Sequence, residues 1–269
     1  MRRNRIRPAA VLAALLLPVV GVLTPVSAQA KESPGELTSP TADSADSQDG
    51  DDGDLEAQII GGTKPESRGI AAISLDGRPN CSGSIVDNYW ILTAKHCVRE
   101  DGGDGPKISY SRLKVRVKSV HSDTGGGVVA VSLTKSRDLQ DLALIKLSRS
   151  ANAEPVSMAT KHSAIGATTY VFGYGITSSS GSNDNRLRRG TERVVDNSFP
   201  GILTTAIDGK PCYGDSGGPL FKLVDGARYQ IGVVSRPPQG DPADCSGGRT
   251  VYSSVPNSLD WIKGVMRDF

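Results

Sequence analysis

Short apolar or alternating runs, separated by turn residues, dominate the chain from about residue 70 onward. Runs of this length, bounded by Gly, Pro, Asn, Asp or Ser, are typical of β-strands. Helical patterns of ten or more residues are missing between them, which argues against alternating βαβ units. The pattern therefore predicts an all-β barrel or sandwich. The predicted strands are 71–75, 84–86, 90–93, 113–120, 128–133, 142–147, 168–172, 230–234 and 251–255.

The last twelve residues follow a different period. Their apolar side chains recur at helical spacing, and Ser258 stands where a side-chain cap is favoured. The sequence therefore predicts a C-terminal α-helix. Its apolar positions are Leu259, Ile262, Val265, Met266 and Phe269.

Residues 1–30 have the three parts of a secretory signal peptide. They combine a basic start, an apolar stretch from residue 9 to about residue 26, and small residues at 27, 28 and 30. A membrane anchor is the alternative, but Pro18 and Pro25 interrupt the apolar stretch and no basic stop-transfer cluster follows. We expect a secreted, extracellular protein with no membrane contact after the signal peptide is cleaved.

Residues 31–58 are strongly acidic and carry no aromatic side chain. They hold nine acids against one base, so they cannot bury enough apolar surface to offset the entropy of ordering them. The segment is either a solvated spacer or a disordered propeptide. Since the first 58 residues hold five of the 31 basic and nine of the 29 acidic side chains, residues 59–269 carry 26 and 20, a net charge of +6. This charge is mild and no dense basic block is present, so nucleic acid is not an expected partner.

Three short segments carry candidate chemistry. His96 follows an apolar run, Asp141 precedes one, and Ser216 lies in a glycine-rich turn. A serine hydroxyl needs an imidazole to take its proton, and an aspartate can hold that imidazole in the required tautomer. Backbone N–H groups of Gly214 and Ser216 can then stabilise the oxyanion. Asp138 competes with Asp141 for the aspartate role, and Asp141 is preferred because it directly precedes the strand.

These segments resemble the trypsin/chymotrypsin family of serine peptidases, in its secreted bacterial type. The resemblance rests on Thr-Ala-Lys-His-Cys at 93–97, Asp-Leu-Ala-Leu at 141–144 and Gly-Asp-Ser-Gly-Gly-Pro at 214–219, in the family's order. It covers the chain from about residue 59 to the end. It implies two perpendicular six-stranded antiparallel β-barrels with a C-terminal α-helix, and an endopeptidase that forms an acyl-enzyme. It also implies protein or peptide substrates, protein inhibitors, a monomer and no cofactor.

Four cysteines in an exported chain predict disulfides, and sequence alone permits three pairings. The resemblance implies that Cys81 pairs with Cys97 and that Cys212 pairs with Cys245. The chain has only three histidines, and they lack metal-ligand spacing. We therefore expect no metal.

The resemblance also implies a zymogen. The sequence Ile59-Ile-Gly-Gly matches a mature N-terminus of the family, whose new α-amino group pairs with the acid before the nucleophile, here Asp215. Residues 31–58 are then an activation peptide and residues 59–269 are the peptidase domain. Gln58 precedes the bond to be cut, so a separate activating protease is expected rather than tryptic self-activation. Gly-Tyr-Gly at 173–175 is similar to a family loop that braces the oxyanion turn.

The specificity pocket is where the chain departs from the family. Lys210 stands where trypsin-like members have Asp, and Pro237 replaces a glycine whose N–H binds the substrate backbone. If Lys210 lies at the base of the pocket, its charge selects a substrate with an acidic residue before the scissile bond. The alternative is that its side chain turns out of the pocket or plugs it. Acidic, small or apolar, and basic preferences all stay open, and a general digestive trypsin is disfavoured. The pocket residues implied are Lys210, Pro211, Ser235, Pro237 and Thr250.

Two other functions compete with a peptidase. A catalytically inactive binding protein on the same fold finds support only in the altered pocket, because no triad residue is lost. An esterase or other acyl transferase would use the same triad but would not need a cleft for an extended peptide.

Overall fold

The computed structural model describes residues 67–178, 181, 183–198 and 201–269. The predicted signal peptide, the acidic segment 31–58 and Ile59 lie outside the described residues. In the described part of the chain, no helix is long and apolar enough to cross a membrane.

The first half of the described chain forms a closed barrel of six antiparallel strands. Alternating apolar residues fill it, and Ile73, Ile85, Leu92, Val115 and Leu144 are fully buried. The strand order around the barrel is β1-β2-β3-β6-β5-β4, closed by the pairing of β1 with β4. The strands are β1 Ile70–Leu75, β2 Arg78–Asp87, β3 Trp90–Thr93, β4 Leu113–Val117, β5 Gly127–Ser136 and β6 Ala143–Leu147.

The second half forms a second barrel, with a short extra strand at its edge. The order β11-β8-β9-β10-β13-β12 closes through the pairing of β11 with β12, and β7 runs parallel to β12. The strands are β7 Ser157–Met158, β8 Thr168–Gly173, β9 Arg188–Asp196, β10 Gly201–Asp208, β11 Pro219–Val224, β12 Ala227–Arg236 and β13 Arg249–Ser254. The predicted fold of two six-stranded antiparallel barrels is confirmed.

The C-terminal helix α1, Leu259–Asp268, is also confirmed. Ile262 is fully buried and joins the core of the first barrel, against which Trp261 and Val265 also pack. The predicted side-chain cap is wrong, because the Ser258 hydroxyl donates to the Ser254 carbonyl at 2.6 Å instead of accepting from a helix N–H. The described residues also include four short 3-10 helices: Lys95–Val98, Glu100–Gly103, Tyr110–Arg112 and Pro256–Ser258.

The two barrels meet along the turn that holds Ser216. The Ser82 N–H of β2 donates to the Ser216 carbonyl at 2.8 Å, and the Gly217 N–H donates to the Val234 carbonyl of β12 at 2.9 Å. A Cβ at Gly217 would lie only 2.0 Å from the Thr93 hydroxyl oxygen. The glycine after the serine therefore allows this turn to lie directly against β2 and β3.

Candidate active site

His96 lies in the 3-10 turn that follows β3. The neighbouring Cys97 is fully buried and forms a disulfide with Cys81 of β2, which ties the turn to the first barrel. On the entropy model, closing a loop of this length contributes about 3 kcal/mol to stability. The disulfide holds the backbone of His96 in place, so the imidazole can be oriented by a single partner.

That partner is Asp141, which immediately precedes the buried run that enters β6. Its Oδ2 lies 2.8 Å from His96 Nδ1, and its Oδ1 accepts the His96 N–H at 3.0 Å. The Ser235 hydroxyl donates to Oδ2 at 2.7 Å, and the Ser253 hydroxyl donates to the Asp141 carbonyl at 2.7 Å. Asp138, the competing acid, is exposed. The structure therefore places Asp141, and not Asp138, against the imidazole.

The ionisation of Asp141 follows from these contacts. Burial opposes the charged form, but hydrogen bonds from His96 and Ser235 outweigh it and hold the pKa of the Asp141 carboxyl below its ordinary value. An ionised carboxylate can only accept a hydrogen bond, so the ring nitrogen that faces it must donate. The proton of neutral His96 is therefore assigned to Nδ1. His96 Nε2 is then left as an acceptor, which is the state a general base requires.

Ser216 lies in a tight turn at the second barrel. Gly214 has φ +94° and Gly217 has φ +82°, values that favour glycine. The Ser82 hydroxyl accepts from the Tyr174 N–H at 3.0 Å and donates to the Gly214 carbonyl at 2.8 Å, which fixes one side of the turn. Within the described residues, the N–H groups of Gly214 and Ser216 have no hydrogen-bond acceptor. These two donors are available to a bound oxyanion.

Asp215, between these two donors, is fully buried behind the turn. Its Oδ2 accepts the Cys212 N–H at 2.9 Å and its Oδ1 accepts the Gly175 N–H at 2.8 Å. A Cβ at Gly173 or Gly175 would lie within 2.4 Å of this carboxylate, so the Gly-Tyr-Gly segment is what allows it to fit. Among the described residues no basic side chain pairs with Asp215, and burial raises its pKa to about 7.

The raised pKa of Asp215 predicts a pH dependence of stability for the full chain. The folded carboxyl holds its proton up to about pH 7, whereas the unfolded one loses it near pH 4, so the free energy of unfolding should fall as pH rises between these values. A difference of about three pKa units between the folded and unfolded states corresponds to a fall of about 4 kcal/mol in the free energy of unfolding. The buried Glu192 carboxyl, whose pKa burial also raises to about 7, adds a loss of its own over the same pH range. Urea unfolding at pH 4 and pH 7.5 should therefore show a loss that is smaller in Asp215→Asn than in the wild type by the Asp215 contribution. Equal losses in both proteins would show that Asp215 is already paired.

A cavity of about 510 Å³ opens beside the turn and joins the candidate residues. His96 and Ser216 both line it, together with Pro211, Ser235 and Pro237. The Cys212–Cys245 disulfide forms part of its wall. The arrangement offers a nucleophile, a base and two oxyanion donors at the end of one groove, which suits acyl transfer.

Comparison with known proteins supports this interpretation. The Trypsin family model matches residues 59–262. Trypsin alpha-4 of Lucilia cuprina is 31% identical over 209 residues, covering 67% of this chain and 78% of the relative. Trypsin delta of Drosophila erecta is 30% identical over 238 residues, covering 77% of this chain and 88% of the relative.

The chain belongs to the trypsin family. Two solved structures share its fold at 23% identity. Human heparin binding protein has a TM-score of 0.64 and covers 78% of this chain and 97% of its own, and mouse neuropsin has a TM-score of 0.62 and covers 74% and 95%. Both trypsin relatives come from insects, so they support the family and not the narrower prediction of a bacterial type.

Membership of the trypsin family draws attention to the specificity pocket, where the structure separates the predicted residues. Pro211, Ser235 and Pro237 line the cavity. Lys210 does not line it, because its Nζ turns aside and donates to the Ser246 carbonyl at 2.9 Å. Thr250 is buried and also lies outside the lining.

Several residues of this trypsin-family site could not be identified from the sequence. Ser82 and Ser253 bind the site through hydroxyls on strands β2 and β13, far from the triad residues in sequence. Arg249 lines the cavity at the start of β13. Only the strand alternation gives a signal for these residues, and it indicates which face they share rather than what they contact.

Proposed function

We propose that the chain is the zymogen of a secreted serine endopeptidase with His96, Asp141 and Ser216 as its catalytic triad. The observation that carries the proposal is the contact of His96 Nδ1 with Asp141, in a cavity that Ser216 also lines, in a chain of the trypsin family. Protein substrates follow from the family.

The chemistry assigns one step to each group. Ser216 Oγ attacks the carbonyl carbon of the scissile bond while its proton passes to His96 Nε2, and Asp141 stabilises the imidazolium. The carbonyl oxygen becomes an oxyanion and accepts the N–H groups of Gly214 and Ser216. His96 then gives its proton to the leaving amine, which leaves an acyl group on Ser216. Water, deprotonated by His96, attacks this ester and releases the acid.

Activation is proposed to depend on cleavage after Gln58 by another protease. The new α-amino group of Ile59 would supply the positive charge that Asp215 lacks among the described residues. The support is the buried carboxylate behind the oxyanion turn, whose hydrogen bonds within the described part of the chain come only from backbone N–H groups. An uncompensated buried charge is costly, so pairing and ordering of the turn should be coupled.

The proposed enzyme is exported by its signal peptide, is freed of the acidic propeptide, and acts outside the cell as a monomer open to protein inhibitors. A preference other than trypsin's, for an acidic or a small apolar residue before the scissile bond, is proposed because no carboxylate side chain is among the described residues of the cavity lining. A metal, a cofactor and nucleic acid play no part in this proposal.

The test is cleavage of a diverse peptide library by protein that begins at Ile59, with Ser216→Ala as the control. We expect cuts that depend on Ser216, together with stoichiometric labelling of Ser216 by a fluorophosphonate. Labelling reports the reactivity of Ser216 and its base without requiring a suitable peptide. It therefore distinguishes an inactive site from an active one whose preferred substrate is absent from the library. Absence of both labelling and cleavage in folded, trimmed protein would overturn the proposal.

A binding protein on the same fold is the alternative, and Pro237 is the observation that favours it. Pro237 lines the cavity and has no N–H to offer an extended substrate backbone. An inactive binding protein would neither react with the fluorophosphonate nor cleave any peptide of the library. The same two measurements therefore decide between the two functions.

A further inference from the structure

The charged side chains around the cavity share one sign. Arg236 and Arg249 line it, and among the described residues no aspartate or glutamate does. A lysine or arginine side chain entering this cavity would lose water without gaining a counter-charge, whereas a carboxylate would gain one. The lining therefore favours an acidic occupant.

Lys210 is not the cation that meets such an occupant. Its amine is bound to the Ser246 carbonyl at 2.9 Å and lies outside the cavity lining. An acidic side chain would have to displace this hydrogen bond before it could pair with Lys210.

Arg249 is better placed, because a neighbouring acid holds its guanidinium. Arg249 Nε donates to Asp241 Oδ2 at 3.0 Å, and its Nη2 also donates to Asp241 Oδ1. The Asp241 side chain is only 12% exposed, whereas that of Arg249 is 49% exposed. Asp241 thus takes two of the five guanidinium donors and does not itself line the cavity. The other three, including both on Nη1, have no acceptor in the described structure.

We propose that Arg249, positioned by Asp241, binds the carboxylate of an acidic residue immediately before the scissile bond. This inference rests on the proposed function and names the substrate class of the same site. A guanidinium already fixed by a two-bond pair loses little conformational freedom on binding a second carboxylate. Arg236 also lines the cavity, but its only hydrogen bond among the described residues is a 3.4 Å contact with the adjacent Pro237 carbonyl, so it has no such fixed orientation.

The experiment compares two peptides that differ only in Glu or Gln before the cut, using protein that begins at Ile59. Asp241 already offsets part of the charge and the site is half exposed, so the wild type should prefer Glu by about tenfold in kcat/KM. Arg249→Gln should abolish this preference while leaving fluorophosphonate labelling of Ser216 unchanged. Lys210→Gln and Arg236→Gln remove the same charge nearby, and each should keep most of the preference.

Three results would overturn the inference. The first is a labelled wild type with no preference for Glu, which would leave the proposed peptidase intact. The second is an equal loss in all three variants, which would show a general effect of charge. The third comes from a binding measurement on Ser216→Ala protein, which needs no catalysis. There the Glu peptide should bind about tenfold more tightly than the Gln peptide, and only when Arg249 is present. Equal binding of the two peptides would refute the site even if the chain were no enzyme.

Discussion

Asp141→Asn is expected to lower kcat about 10⁴-fold while changing KM little. The asparagine fits the same space, but its amide NH₂ can donate to His96 Nδ1, which places the imidazole proton on Nε2. His96 can then no longer accept the proton of Ser216, so attack is suppressed although all three side chains keep their positions. Replacing the equivalent carboxylate in well-studied serine peptidases has this magnitude of effect. Steady-state kinetics on any peptide cleaved by the wild type would measure it.

Asp138→Asn is the matched control for this prediction. It makes the same change three residues earlier, on an exposed side chain, and should leave kcat and KM within about twofold, as surface substitutions usually do. Thermal unfolding of both variants separates loss of chemistry from loss of fold. A strong loss in Asp138→Asn with an active Asp141→Asn would reverse the assignment of the aspartate.

The sequence predicts the first barrel better than the second. The first-barrel strands are apolar runs, and β3 has the predicted bounds. The strand β9 escapes prediction because most of its residues are polar or charged, although Arg188, Gly190, Glu192 and Val194 are all buried. The hydroxyls of Thr204 and Tyr252 donate to Glu192 Oε2, whereas Oε1 has no hydrogen-bond partner among the described residues. Burial of a hydrogen-bonded polar side chain leaves no apolar signature in the sequence.

The candidate site also contains residues that the sequence identifies and residues that it does not. His96, Asp141 and Ser216 could be selected because short motifs surround them, and the structure brings His96 and Asp141 into contact. Arg249 and Lys210 could not be ranked from sequence, since their roles depend on which one finds a closer partner. Lys210 binds the Ser246 carbonyl and Arg249 binds Asp241, and of these two cations Arg249 alone lines the cavity. Such competition between partners is decided by tertiary contacts alone.

Protein that begins at Ile59 is expected to exceed protein that begins at Gln58 by at least about 10³-fold in kcat/KM. Loss of a single oxyanion donor typically lowers kcat about 10²–10³-fold, and Asp215 lies between the two donors of this turn. Without the α-amino group, no residue in the described part of the chain supplies a positive charge to the buried Asp215 carboxyl. Ionising this carboxyl would then destabilise the turn. The two proteins differ by one residue and can both be made by cleavage of a fusion partner. Equal activities would refute the activation model.

Asp215→Asn in protein that begins at Ile59 separates the ion pair from other effects of the new terminus. If the pair orders the turn, this variant should fall to the activity of the Gln58 protein, because an amide cannot form an ion pair with the ammonium. The contribution of Asp215 to the pH dependence of stability, measured as the difference from Asp215→Asn, should also change sign on processing. Pairing lowers the pKa of Asp215, so its contribution is then lost as pH falls through that lower value, whereas in the unprocessed chain it is lost as pH rises toward 7. This reversal reports pairing without any substrate, so it distinguishes a mature site that lacks its peptide from one that never forms.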